Sequence, residues 1–192
     1  MRIGVVSDTH MFRRSQSLPQ DLVEGLRGVD MILHTGDWID EEVVDLFADL
    51  APIDGVAGNN DGPAIVRRFG RRKVLELAGY RIGLIHGDGG RSTPDTAFQA
   101  FWDSDGKGTV DIILFGHSHT PYLERKDGIL LFNPGSPTDK RRQPRYSFGI
   151  LRLARMWKPN IIITIINKEM KGSGTHGTLE RDYDERGMEH HF

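Results

Sequence analysis

Five short, glycine-marked motifs each follow a run of apolar, largely β-branched residues, and no other feature constrains this chain as strongly. They are Asp8-Thr9-His10, Gly36-Asp37, Gly58-Asn59, His86-Gly87 and Gly116-His117-Ser118-His119. The apolar runs cover residues 3–6, 31–33, 53–56, 82–85 and 112–115. Runs of this length and composition read as buried strands, and each glycine-containing motif marks the point where a strand gives way to a loop. Side chains from several strands then converge at one sheet edge. Asp8, His10, Asp37, Asn59, His86, His117 and His119 are all of types that bind hard or borderline cations, enough for two metal sites sharing one carboxylate.

The bulk properties narrow the class. The chain has 192 residues, 38% hydrophobic and 27% charged, ordinary values for a soluble globular protein with one main domain. A net charge of -2 gives no global electrostatic reason to expect a nucleic-acid or membrane partner. The absence of cysteine excludes disulfides, thiolate metal sites and cysteine nucleophiles. The first apolar run is too short for a secretion signal, and no stretch approaches the roughly 20 apolar residues needed to cross a bilayer. A cytoplasmic enzyme or binding protein is the expectation.

Apolar periodicity predicts strand, helix, strand, helix over residues 2–50, with helices over 18–26 and 43–50, and hence a parallel sheet at the start. A strand at 53–57 precedes a polar turn and a short helix opening at Pro63, where the missing N–H of proline costs nothing. Residues 73–77 and 81–85 read as a hairpin, so the sheet becomes mixed. A helix over 93–102, capped by Thr93 with Pro94 in its first turn, leads to a strand at 110–115. A second hairpin turns at Asp127-Gly128, and strands at 146–153 and 160–167 follow. Residues 1–170 are expected to form the domain, and 171–192, with little apolar periodicity, a C-terminal tail.

The motif spacings suggest chemistry. Asp8 and His10, like His117 and His119, are separated by one residue, so at a strand end both side chains of a pair can point to the same side. Asp37 can bridge two cations with its two oxygens, and Asn59 adds a neutral amide oxygen. Four histidines with carboxylates suit manganese first, with iron, zinc, nickel or cobalt as alternatives, rather than an all-oxygen magnesium or calcium site. Each motif alone is weak: Gly36-Asp37 could be a helix-capping turn, and His86 an ordinary hydrogen-bonded histidine. Their joint order after five strands is what carries the inference. His34, three residues before Asp37, reads as a core histidine rather than a ligand.

In this order the motifs Asp8-x-His10, Gly36-Asp37, Gly58-Asn59-Asn60-Asp61, His86-Gly87 and Gly116-His117-x-His119 resemble the signature of the calcineurin-like metallophosphoesterases. The short chain and the loop Asn133-Pro134-Gly135-Ser136 are most similar to the small bacterial and archaeal phosphodiesterases, a subgroup that includes the eukaryotic retromer subunit of this fold. The resemblance implies an α/β fold, a four-layer αββα sandwich of two mixed sheets. It also implies one metal on Asp8, His10, Asp37 and His119 and a second on Asp37, Asn59, His86 and His117. Two such cations would activate a bridging hydroxide, the expected nucleophile, for in-line attack on phosphorus. No side chain need serve as nucleophile.

One position departs from the wider family. Many members carry histidine where this chain has Asn60, and an amide can bind a phosphate oxygen but cannot donate a proton at neutral pH. Loss of a general acid commonly removes on the order of 10²- to 10⁴-fold of rate, most with poor leaving groups. The expected activity is therefore hydrolysis of small phosphodiesters with acidic leaving groups, with Asn60 and Arg13 as candidate substrate-binding residues. Two basic clusters, residues 67–73 and 140–145, lack interleaved aromatics, so a nuclease remains a minor alternative. A non-catalytic interaction scaffold of the same fold is the rival from another class. No membrane partner is expected, and a homo-oligomer is compatible with the sequence.

Overall fold

The computed structural model describes residues 1–11, 17–154, 160–168, 177–183 and 189–190, the last segments as strand backbone only. Two mixed β-sheets lie face to face between helices. The first takes the order β12-β11-β10-β9-β1-β2-β3 and the second β4-β5-β6-β8-β7. In the first sheet β1 (Arg2–Val6), β2 (Met31–His34) and β3 (Ile53–Gly55) run parallel, as the βα alternation predicts. The long β9 (Tyr146–Ala154) returns antiparallel against β1 and pairs in turn with β10 (Asn160–Lys168). Within the segment expected to be a tail, β11 (Gly177–Tyr183) and β12 (Glu189–His190) extend this sheet through backbone pairing.

The second sheet is built from β4 (Arg72–Leu77), β5 (Tyr80–Ile85), β6 (Ile112–Leu114), β7 (Tyr122–Lys126) and β8 (Ile129–Asn133). Its middle strands β5, β6 and β8 are parallel, and two hairpins add β4 and β7 antiparallel at the edges. Both hairpins turn through two residues with positive φ, Ala78 (51°) with Gly79 (88°) and Asp127 (48°) with Gly128 (82°). That is the mirror-image turn whose twist matches paired strands.

Strand alternation sorts the apolar side chains into three interfaces. Ile3, Val5, Leu33 and Leu151 of the first sheet meet Ile82, Leu84, Ile112, Leu114, Leu130 and Phe132 of the second in the central layer. Intervening residues face outward: Val6 and Ile32 pack beneath α1 (Gln20–Gly25), α2 (Glu41–Ala48) and α3 (Pro63–Phe69). On the far side Ile113, Phe115, Ile129 and Leu131 pack against α4 (Thr93–Gln99). Residues one apart on a strand thus serve different interfaces, which is why runs such as Ile112-Ile113-Leu114 are apolar throughout. The result is the four-layer αββα sandwich.

Local differences from expectation have simple causes. The α4 cap is Ser92, whose Oγ accepts from the Asp95 N–H at 3.4 Å; Thr93 is the first helical residue, and the helix ends at Gln99 rather than 102. Serine and threonine are both favoured caps, so the sequence alone did not decide between neighbours. Leu18 lies before α1 yet is still buried in the core.

A candidate metal centre between the two sheets

The seven expected ligands lie just beyond the C-terminal ends of five strands, four from the first sheet and three from the second. The expected single sheet edge is therefore a junction of two. Strand alternation is also not what aims the paired side chains. Asp8, His10, Asp37, His117 and His119 all have positive φ, between 46° and 65°, a conformation few residues other than glycine adopt. Such strain is retained where surrounding contacts over-determine it. Here Asp8 N–H donates to Gly36 O at 2.9 Å and His10 N–H to Asp37 O at 3.0 Å, locking the β1 loop onto the β2 loop.

The donor atoms crowd together. His10 Nε2 and His119 Nε2 are 3.2 Å apart. Asp8 Oδ1 lies 3.4 Å from His119 Nε2, 3.9 Å from His86 Nε2 and 4.0 Å from His10 Nε2. Asp37 Oδ2 sits between His10 Nε2, at 3.4 Å, and His86 Nε2, at 3.3 Å. Two overlapping triads result, Asp8-His10-His119 and Asp8-Asp37-His86, each with donor atoms within 4.8 Å of one another. Bonds of about 2 Å to a common cation would hold nitrogen and oxygen donors at such separations.

His86 gives the sharpest test of fit. Its ring is 1% exposed and Nδ1 is bonded to the Thr35 carbonyl at 2.8 Å, while Nε2 makes no well-directed hydrogen bond and meets Asp37 Oδ2 only at 3.3 Å. The Nδ1 contact directs the ring, leaving Nε2 facing two carboxylates. Burial alone would make His86 less basic, but Asp37 and Asp8 outweigh it and push its pKa up to about 9. Burial raises Asp8 to about 7, against the pull of His86. Burial would also raise Asp37, but His86 and the Asn60 donors hold its carboxyl well below the usual range. Buried acids beside a histidine that holds a proton only because of them form a site where a cation can replace that proton.

Steric requirements agree. A Cβ at Gly116 would fall 1.9 Å from Ser7 Oγ and 2.8 Å from Asp8 Oδ2, and one at Gly58 would fall 2.2 Å from Asp37 Oδ1. These glycines are needed so that backbone can approach the carboxylates. His117 and Asn59 stand at the rim, joined by a 3.1 Å contact between His117 Nδ1 and Asn59 Oδ1. The His117 ring meets the His86 ring edge-on, with centroids 5.2 Å apart.

Asn60 is also at the rim, and its side chain turns inward. Its N–H donates to Asp37 Oδ1 at 2.9 Å and Nδ2 to Asp37 Oδ2 at 2.7 Å. The residue thus clasps the central carboxylate. Arg13 lies outside the described residues.

Several framework residues were not identified from sequence. Asp61 closes the Gly58-Asn59-Asn60-Asp61 motif without being a candidate ligand. Its carboxylate accepts N–H bonds from Asp37 (2.9 Å), Ile39 (2.8 Å) and Gly58 (2.7 Å), stitching the loops after β2 and β3 together. Ser136 Oγ donates to Asp8 O at 2.8 Å, and Asn133 Nδ2 donates to Gly116 O at 2.7 Å. The His119 Nδ1 bonds to the Asp139 carbonyl. Trp38 stacks on His34 with centroids 3.7 Å apart and donates from Nε1 to Val56 O at 2.9 Å. His34 is fully buried; its Nδ1 accepts from Gly36 N–H at 3.1 Å and its Nε2 lies 3.3 Å from Thr9 Oγ1, as suits a core histidine. A short polar residue hinting at a carboxylate clamp, as in Asn-Asn-Asp-Gly, was the one available signal for Asp61.

Comparisons with known proteins place this geometry. A probable metallophosphoesterase of Methanocaldococcus jannaschii is 38% identical over 141 residues, covering 73% of this chain and 70% of its own. A phosphodiesterase of the same organism is 26% identical over 151 residues, covering 70% and 83%. Among solved structures, Vps29 from Entamoeba histolytica shares the fold with a TM-score of 0.74 at 23% identity, covering 96% of this chain and all of its own. Residues 1–156 match the calcineurin-like phosphoesterase superfamily domain, which spans every strand that feeds the site. The chain belongs to the calcineurin-like phosphoesterase superfamily.

Proposed function

We propose that this protein hydrolyses phosphodiesters, using two divalent cations held by Asp8, His10, Asp37, Asn59, His86, His117 and His119. The observation that carries this reading is the buried His86 Nε2 held 3.3 Å from Asp37 Oδ2 and 3.9 Å from Asp8 Oδ1. When bound, two such cations would neutralise phosphoryl charge and lower the pKa of water. Manganese is the first candidate, on the histidine-rich donor set.

The chain's own residues do the rest. Asp37 would face both cations, and Asn60 would hold its carboxylate in orientation through the two hydrogen bonds described. An amide committed to Asp37 has no acidic proton to give a departing alkoxide. Esters whose leaving groups are stable as anions are therefore the favoured substrates, and alkyl monoesters the poor ones. The phosphodiesterase relative supports the diester class.

The test combines metal analysis with turnover of bis-p-nitrophenyl phosphate in added Mn²⁺. The wild type is expected to hold metal and hydrolyse the ester, and Asp37→Ala to lose at least 10²-fold in kcat/KM together with metal content. Sugar monophosphates turned over faster than the aryl diester would contradict the assignment of Asn60. Stoichiometric metal with no turnover of any ester would leave the docking-scaffold reading in its place.

A further inference from the structure

The residues of the centre are not fastened alike. Asp8, Asp37, His86 and His119 are almost fully buried, whereas Asn59 is exposed. Among the described residues, the one hydrogen-bond partner of the Asn59 side chain is His117, itself at the rim. Packing therefore does not fix Asn59. Its position depends on the turn after β3, and in particular on the peptide that joins Gly58 to Asn59.

An arginine from the other sheet holds that peptide. Arg71 stands immediately before β4, at the edge of the second sheet, and its Nη1 donates to Gly58 O at 3.0 Å. No other hydrogen bond joins this side chain to a described residue. Because a peptide unit is planar, a restraint on its oxygen is passed to the Cα that follows, here that of Asn59. The backbone prepares the reach. Gly70 leaves α3 with φ 71°, a left-handed conformation suited to glycine, and its carbonyl receives Ala57 N–H at 2.7 Å. One residue further along each segment, Arg71 meets Gly58. Lys73 Nζ pairs with Asp54 Oδ1 at 2.6 Å, joining the same two edges.

Asp61 acts on this peptide differently. It accepts from Gly58 N–H at 2.7 Å, and its own N–H donates to Gly58 O at 3.3 Å, but it belongs to the turn that carries Asn59. Asp61 shapes the turn and ties it to the β2 loop, within the first sheet. Arg71 ties it to the second sheet, which supplies His117.

From this geometry we infer that Arg71 is a positioning residue for one of the two cations: by holding the Gly58–Asn59 peptide, it sets where the Asn59 amide oxygen stands. The inference rests on the two-cation reading above, in which Asn59 serves one cation and not the other. Partners that orient a ligand in this way change metal affinity by about tenfold or more.

Titration calorimetry of the metal-free protein with Mn²⁺ reads the two uptake steps. The wild type is expected to take up two equivalents. Arg71→Met, which keeps the length of the side chain but no donor, is expected to leave one equivalent as tight as in the wild type and to weaken the other about tenfold. Arg71→Lys, which can still donate to Gly58 O, is expected to recover most of that loss. A cycle with Asn59→Ala separates positioning from general stability: with Asn59 removed, Arg71→Met is expected to weaken the affected step no further. Equal weakening of both equivalents, an undiminished effect of Arg71→Met in the Asn59→Ala background, or an Arg71→Met titration identical to the wild type would each overturn the assignment while leaving the two-cation reading standing. A wild type that binds fewer than two equivalents would overturn both.

Discussion

At the scale of single residues, the site is a balance of charge that a cation would complete. With Asp8 raised to about 7 and His86 to about 9, both would hold protons that an incoming metal would have to displace. Both bind metal only after deprotonation, so the sign is fixed: affinity rises with pH. We expect about a tenfold gain per pH unit between 7 and 9, where His86 gives up its proton, and a steeper gain below 7, where Asp8 must also lose one. Calorimetric titration with Mn²⁺ over this range checks it; affinity flat with pH would show that neither proton is displaced. The candidate ligands were legible because Asp8, Asp37 and the histidines are conspicuous beside glycine at strand ends. The clasp of Asn60 on Asp37 was not legible, since the contact joins residues 23 apart in sequence.

At the scale of elements, the strands position little by themselves. Alternation along an extended chain was the expected means of aiming Asp8 with His10 and His117 with His119, yet all four have left-handed backbones. The loops are held instead by side-chain clamps, of which Asp61 is the strongest. Asp61→Ala would leave the buried N–H groups of Asp37 and Gly58 and the partly buried N–H of Ile39 without an acceptor. Each such group costs about 1–3 kcal/mol, partly offset by removing the cost of burying a carboxylate, so we expect a net loss of about 3 kcal/mol. Urea unfolding of the metal-free protein measures this, and a variant within about 0.5 kcal/mol of wild type would refute the clamp. The elements were legible because strand runs and helix periods are local signals. Ends such as the Ser92 cap were not, because adjacent residues offered the same chemistry.

At the scale of the whole molecule, the centre lies where two sheets meet, beside the apolar layer between them and the Lys73–Asp54 ion pair that links their edges. Asp8, His10, Asp37 and Asn59 come from loops of one sheet, and His86, His117 and His119 from loops of the other. A ligand bound only by the folded state stabilises by about 2.7 kcal/mol at 100 times its Kd. Chelation should accordingly lower the thermal midpoint by several degrees, and Asp37→Ala should show no such response. Scanning calorimetry with and without EDTA decides this; equal shifts in both proteins would place the stabilising metal elsewhere. No helix among the described residues is long and apolar enough to cross a membrane.

The sequence by itself determined the strand and helix order, the parallel start and mixed second half, and the chemical character of the centre. Those properties reside in local patterns: apolar runs, glycine at strand ends, and metal-binding side chains in a fixed order. Only the tertiary structure decided that β9 returns to pair with β1 and divides the strands into two sheets, and that the ligands face one another across their junction. Only it showed that Asp61 clamps two loops and that Asn60 faces Asp37. Each of these depends on contacts between distant segments, whose energies are set by packing and by hydrogen-bond partners that no local pattern specifies.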